Sequence, residues 1–118
     1  MLLQSTRLSV GDIVQFGAVR FFLVGLSSNA AVLCEIVGSS APHHRADIPL
    51  SWPETLRMGV ATRSHIRCAP RLFRNVGRLM KIGAADTAVL ARARAAVRVE
   101  LDVQRREDEW LFARRLCG

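Results

Sequence analysis

Between Glu54 and Asp86 the sequence holds no acidic residue, while Arg57, Arg63, Arg67, Arg71, Arg74, Arg78 and Lys81 accumulate there. Seven cations with no counter-charge nearby in sequence create a positive field that draws a polyanion. All but one are arginines, whose planar fork grips a phosphate through two hydrogen bonds. A solvated basic face, or one neutralised by an acidic protein partner, is the plainer alternative. Just upstream, the loop GSSAPHHR carries Ser39, Ser40, His43, His44 and Arg45. An imidazole that titrates near neutrality can take or give a proton, although two exposed loop histidines without a role fit the same pattern. Trp52 offers a ring on which a base can stack, but its place at a short connector fits a core or rim side chain better. His65 lies in a strand-like run and reads as structural.

Cys34, Cys68 and Cys117 are too far apart in sequence for a CxxC pair or a metal-ligand spacing. No metal and no cofactor is therefore expected. Cys34 and Cys68 fall in apolar runs and read as plain buried thiols, and Cys117, near the terminus, as doing nothing specific. The odd count favours reduced thiols in a cytoplasm. No basic start followed by a long apolar stretch opens the chain, which argues against export. No apolar run approaches the roughly 18 residues that span a bilayer, so no membrane partner is predicted.

The elements that must position these groups are short. The chain has 118 residues and a net charge of +7; half its residues are apolar and 23% are charged. That is the composition of one globular domain with a modest core. Gly11-Asp12 opens a strand over IVQF. VRFFLVGL and AAVLCEIV are dense β-type runs joined by the small turn SSNA, which makes a hairpin. ADIPL is a short strand whose Pro49 puts it at an edge or end. WPETLRMG predicts one helical turn, with Pro53 at its start and Gly59 at its end. A strand around His65 to Cys68 is stopped by Pro70, and Leu72, Phe73, Val76, Leu79, Met80 and Ile82 have a spacing closer to helical than alternating. Asp86 is a plausible N-cap for a helix in which Leu90, Ala93, Val97 and Leu101 form an apolar stripe. Beyond the polar run QRREDE, Trp110, Leu111, Phe112 and Leu116 predict a second helix or a bent extension. This apolar cluster either folds back on the barrel or contacts a partner. The fold class is mainly β with a C-terminal helix (α+β). Residues 1–101 form a barrel domain with its terminal helix, and 102–118 a helical C-terminal extension.

The order of landmarks resembles the PemK/MazF-like growth-inhibitor toxins. The matching residues are Gly11, Asp12, Ile13 and Val14; Arg20 before an apolar strand; Trp52, Leu56, Gly59 and Val60; Ser64, Ile66 and Arg67; and Ile82 and Gly83 before the last helix. The likeness covers roughly residues 9 to 101 and lies in shared order and spacing. It implies an SH3-like β-barrel of the PemK/MazF type, usually a homodimer, acting as the toxin of a toxin–antitoxin pair. It also implies a metal-independent endoribonuclease that cuts single-stranded RNA through the 2′-hydroxyl. In the family an Arg heading the second strand and a Thr or Ser ending the third carry the site. Arg20 matches the first position, though Phe21 replaces the usual Pro. Val37 stands at the hydroxyl position, and Ser39 and Ser40 lie just beyond it. His43, in the same loop, is the remaining proton-transfer candidate, and Ser64 corresponds to a position that bonds backbone.

The expected catalytic set is therefore Arg20, Ser39, Ser40 and His43. The expected nucleic-acid surface is Arg45, Trp52, Arg57, Arg63, Arg67, Arg71, Arg74, Arg78 and Lys81. RNA and an acidic antitoxin are the expected partners. Val37, Phe21 and the short Gly17-Ala18-Val19 link favour an alternative, a catalytically degenerate barrel that binds nucleic acid or an acidic protein. An adaptor making its main contact through the Trp-Leu-Phe cluster is a third reading.

Overall fold

A computed structural model describes residues 7–117, the side chain of Cys117 excepted; the reading of Cys117 lies outside the described side chains. The elements run β1 (Asp12–Phe16), β2 (Val19–Leu26), β3 (Ala31–Val37), β4 (Asp47–Pro49), α1 (Trp52–Met58), β5 (His65–Phe73), a 3-10 turn (Val76–Arg78), β6 (Met80–Ala84) and α2 (Thr87–Cys117). The strands form one antiparallel sheet in the order β4-β5-β3-β2-β1-β6.

VRFFLVGL is apolar without alternation because β2 is covered on both faces. Phe22 and Val24 pack with Ile13, Cys34 and Ile66 toward Met58 of α1 and Val89 and Ala93 of α2. Phe21 and Leu23 point the other way, to Val14, Leu33 and Leu79, with Phe73 and Val76 across them. The sheet curls to enclose this second cluster. The ring of Phe16 on β1 meets that of Phe73 on β5, strands separated by β2 and β3, at 5.0 Å between centroids. This is the expected small barrel with a terminal helix.

Three expectations need correction. β5 does not stop at Pro70 but continues to Phe73. Its register against β3 shifts between the pairs Glu35↔Arg67 and Leu33↔Arg71. Pro70 therefore sits in a bulge, where its missing N–H costs no ladder bond. Residues 71–83, expected to be helical, are instead the end of β5, the 3-10 turn and β6. Their apolar side chains serve the second cluster and the strand edge, so their spacing follows a bent β-turn-β path and not a helix face. The predicted second helix or bent extension is the unbroken continuation of the first helix. α2 is one unbroken helix of 31 residues, about 46 Å long at 1.5 Å per residue. Asp86 caps it as expected, its Oδ1 accepting from Val89 N–H at 3.0 Å. Among the described residues no helix is long and apolar enough to cross a membrane.

α1 is a complete local design. Ser51 and Glu54 close a capping box, Pro53 lies in the first turn, and Gly59 ends the helix in the left-handed region at φ 74°. Its seat on the barrel depends on Gly83 of β6, where a Cβ would stand 2.6 Å from the Met58 carbonyl oxygen. Backbone cannot yield that distance cheaply. Gly83→Ala is expected to destabilise the fold by about 2 kcal/mol through this clash, read as a lowered midpoint in urea unfolding.

Candidate functional site

β2 begins at the open end of the barrel, and its residues alternate. Phe22 and Val24 point to the helices, and Arg20, two residues earlier, emerges on the same side where the core ends. Its guanidinium is exposed and donates one long bond, 3.4 Å, to the carbonyl of Gly59 at the C-terminal end of α1. A helix C-terminus carries partial negative charge and favours a cation there. Arg20 is thus steered while most of its five donors stay free.

It opens on a cleft of about 240 Å³ lined by Arg20, Glu35, Val37, Gly38, Val60 and Ser64 among others. Val37 closes β3 inside this cleft and is buried. The Ser64 hydroxyl donates to the Ala61 carbonyl at 2.6 Å, which is the backbone role expected of it. Glu35 is the carboxylate among the lining residues and was not among the expected site residues. It lies 3.6 Å from Arg71. A single charge inside the apolar strand AVLCEIV was its signal. Ser39, Ser40 and His43 are exposed and follow Gly38 out of the cleft, outside its lining.

The rest of that loop is held elsewhere. His44 accepts at Nδ1 from Ala46 N–H, 2.9 Å, and its own N–H donates to Asp47. Arg67 ties Asp47, 2.9 Å, to the Pro42 carbonyl. Burial pushes the Asp47 carboxyl up, but Arg67 and the His44 N–H outweigh it and hold it below its ordinary value. Arg45 bonds two acids of α2 with both edges of its fork, Glu100 at 2.8 Å and Glu107 at 2.9 Å. Its hydrogen bonds hold the buried Glu100 carboxyl low, against the effect of burial. Cys34 and Cys68 are buried, as expected. The Cys68 sulfur and burial push the Cys34 thiol up.

The basic stretch is less bare in space than in sequence. Besides Arg67 and Arg71, Arg57 pairs with Asp86 at 3.2 Å and Lys81 with the buried Asp12 at 3.4 Å. Among the described residues, Arg63, Arg74 and Arg78 have no carboxylate at ion-pair distance. Arg74 precedes the 3-10 turn and Arg78 ends it, and neither lines the cleft. Arg63 lies between the cleft-lining Ala61 and Ser64 and holds φ at +66°. A non-glycine residue in that region carries strain, a feature that clusters at functional sites. Trp52 is 65% exposed at the start of α1, a surface ring and not a core one.

With this geometry the chain is similar to two solved structures. One is a chain of the MazE–MazF crystal structure (form II) from Deinococcus radiodurans, with a TM-score of 0.63 at 16% identity over 82% of this chain and 97% of that one. The other is from the form III structure, with a TM-score of 0.61 at 18% identity over 79% and 94%. The fold is MazF-like. No protein-family model matches the chain, and no curated protein matches it. In this MazF-like barrel the cleft lies where the start of β2, the end of β3 and the 60–64 loop meet.

Arg63→Gly separates the strain at the cleft rim from its charge. Gly adopts positive φ without penalty, so the melting temperature is expected to hold or rise. For an RNA probe that binds at this rim, affinity is expected to fall and the slope of log affinity against log salt to drop by about 1. A fluorescence-anisotropy titration at several salt concentrations reads both.

Proposed function

We propose that the protein is the toxin of a toxin–antitoxin pair, a metal-independent endoribonuclease that cuts single-stranded RNA. The observation that carries this reading is Arg20, exposed and steered by Gly59, opening on a cleft of a MazF-like barrel. In this reading the RNA 2′-oxygen attacks the adjacent phosphorus and the bond to the 5′-oxygen breaks. The products are a 2′,3′-cyclic phosphate and a 5′-hydroxyl. Arg20 stabilises the charge that gathers on the phosphoryl oxygens in the transition state. Glu35 accepts the 2′-hydroxyl proton as general base. In this reading the loop after Gly38, which stands outside the cleft lining, folds over bound RNA so that Ser39 and Ser40 meet it and the His43 imidazole gives the leaving oxygen its proton. Arg63 binds a neighbouring phosphate and Trp52 stacks on a base. An acidic antitoxin would compete for the same positive rim.

A single-stranded RNA and its all-2′-deoxy counterpart, incubated with the protein in excess chelator, test this reading. Cleavage of the RNA alone, leaving cyclic-phosphate ends, is the expected result. Cleavage of both strands, or of neither, contradicts it. One observation favours a second reading. β3 presents Val37, without a hydroxyl, to the cleft, and this fits a barrel that binds RNA without cutting it.

A further inference from the structure

Arg45 lies in the loop between β3 and β4 and is held by α2 at two levels. Its Nε and one terminal nitrogen donate to Glu100 at 2.8 and 3.0 Å, and both terminal nitrogens donate to Glu107 at 2.9 and 3.0 Å. Four of the five guanidinium N–H groups are thereby engaged, so the side chain is a tie and not a free cation. Glu100 and Glu107 are two helical turns apart and share one face. Glu100 is buried and also accepts from Gln104. Glu107 belongs to the last turns of α2, where from Arg105 to Leu116 every residue is exposed. Among the described residues, the other ion pairs of that stretch stay within the helix. Glu107 is its one ionic link to the barrel.

The loop so tied is the one that leaves the cleft. Gly38 lines the cleft, and Ser39, Ser40 and His43 follow it. The near part of the loop carries a single turn bond, from Ala41 N–H to the Gly38 carbonyl at 3.1 Å. The far part is fixed twice. Arg67 holds the Pro42 carbonyl, and α2 holds Arg45. His43 lies between these two anchors. The amides of His44, Ala46 and Asp47 are all hydrogen-bonded within this knot.

We infer that Arg45 is a positioning residue and the exposed end of α2 a brace, which through Glu107 and Glu100 holds the far end of the β3–β4 loop. The loop then closes on RNA as a short flap, and only the stretch after Gly38 has to be ordered. Ordering fewer residues costs less conformational entropy, and a proton donor acts only where it is held in place. The link to cleavage rests on the nuclease reading; the brace itself does not.

Glu107 is the position to change, because its side chain is half exposed and its loss leaves the Arg45–Glu100 pair intact. Hydrogen exchange on the full chain reads the brace. In Glu107→Ala the amides of His44, Ala46 and Asp47 are expected to exchange about tenfold faster than in the wild type. Glu107→Gln, whose amide oxygen still accepts one N–H, should fall between the two. Glu109→Ala removes a partner of Arg105 within the helix and should leave these amides unchanged. On RNA, Glu107→Ala is expected to lower kcat about fivefold and to move KM by less than about twofold, because the flap's proton is given in the transition state. The melting temperature should hold, since an exposed ion pair contributes little to stability. Unchanged exchange in Glu107→Ala overturns the brace. Equal acceleration in Glu109→Ala does so too, since it would mark a loosened helix. Faster exchange with kcat unchanged or raised overturns the role of Arg45 at the site. A wild type that cuts no RNA defeats the nuclease reading and not the brace, which the exchange rates still decide.

Discussion

Replacing Arg20 by alanine is expected to lower the rate of RNA cleavage by about 10²–10³-fold, the effect of removing one preorganised donor from a transition-state charge. The loss should fall on kcat, because the phosphorane holds more charge than the ground-state phosphodiester, while KM moves little. Arg20→Lys should recover part of the rate, since a point charge lacks the second arm of the fork. Stability should be unchanged, because Arg20 is exposed and makes one 3.4 Å bond to Gly59. Single-turnover kinetics beside a thermal melt read both quantities. An equal loss of cleavage and fold would assign Arg20 to structure, and a loss in KM alone would make it a binding group.

The second large effect concerns Arg67, expected from sequence to bind nucleic acid. In the fold it is a clamp. Its guanidinium holds Asp47, whose side chain is 4% exposed, and the carbonyl of Pro42. Arg67→Ala leaves a buried carboxylate without its cation, at a cost of about 3 kcal/mol, which for a domain of this size lowers Tm by roughly 10 °C. Asp47→Asn should cost less, because Arg67 can turn toward water while the amide oxygen still accepts from His44 N–H. If Arg67 were chiefly a phosphate contact, Arg67→Ala would leave Tm unchanged and weaken RNA binding instead. This pair and the Arg45–Glu100 pair set a pH dependence. Asp47 and Glu100 both have carboxyls held below their ordinary values in the folded chain. Their contribution is therefore complete above the unfolded pKa of about 4 and is lost as pH falls through the lower folded values. Acid unfolding should weaken correspondingly in Arg67→Ala.

The strands were legible wherever burial was total. Phe21 to Val24 and Leu33-Cys34 are apolar on both faces because helices cover one and the curled sheet the other, and no helix of that length would need so many β-branched and aromatic side chains. Asp86 and the Ser51–Glu54 box were legible because caps are local chemistry. Pro70 misled, since a proline reads as a stop and only the pairing with β3 shows the bulge that absorbs it. The bare positive stretch misled for the same reason. Asp12, Glu35, Asp47 and Asp86, which pair with four of its seven cations, come from other strands and from the cap of α2. Glu35 was hidden in a strand read as apolar. The Trp-Leu-Phe cluster was legible as a cluster, but its direction depended on α2 running on unbroken past residue 101.

The central claim is that a phosphate sits in the cleft beside Arg20. An uncleavable 2′-deoxy oligonucleotide titrated into isotope-labelled protein and followed by amide chemical shifts tests it most directly. The expected result is that the largest shifts fall on Val19, Arg20, Gly38, Ala61 and Ser64, and shrink in Arg20→Ala. Shifts confined to the 3-10 turn at Val76–Arg78 or to the end of α2, with the cleft unmoved, would contradict it.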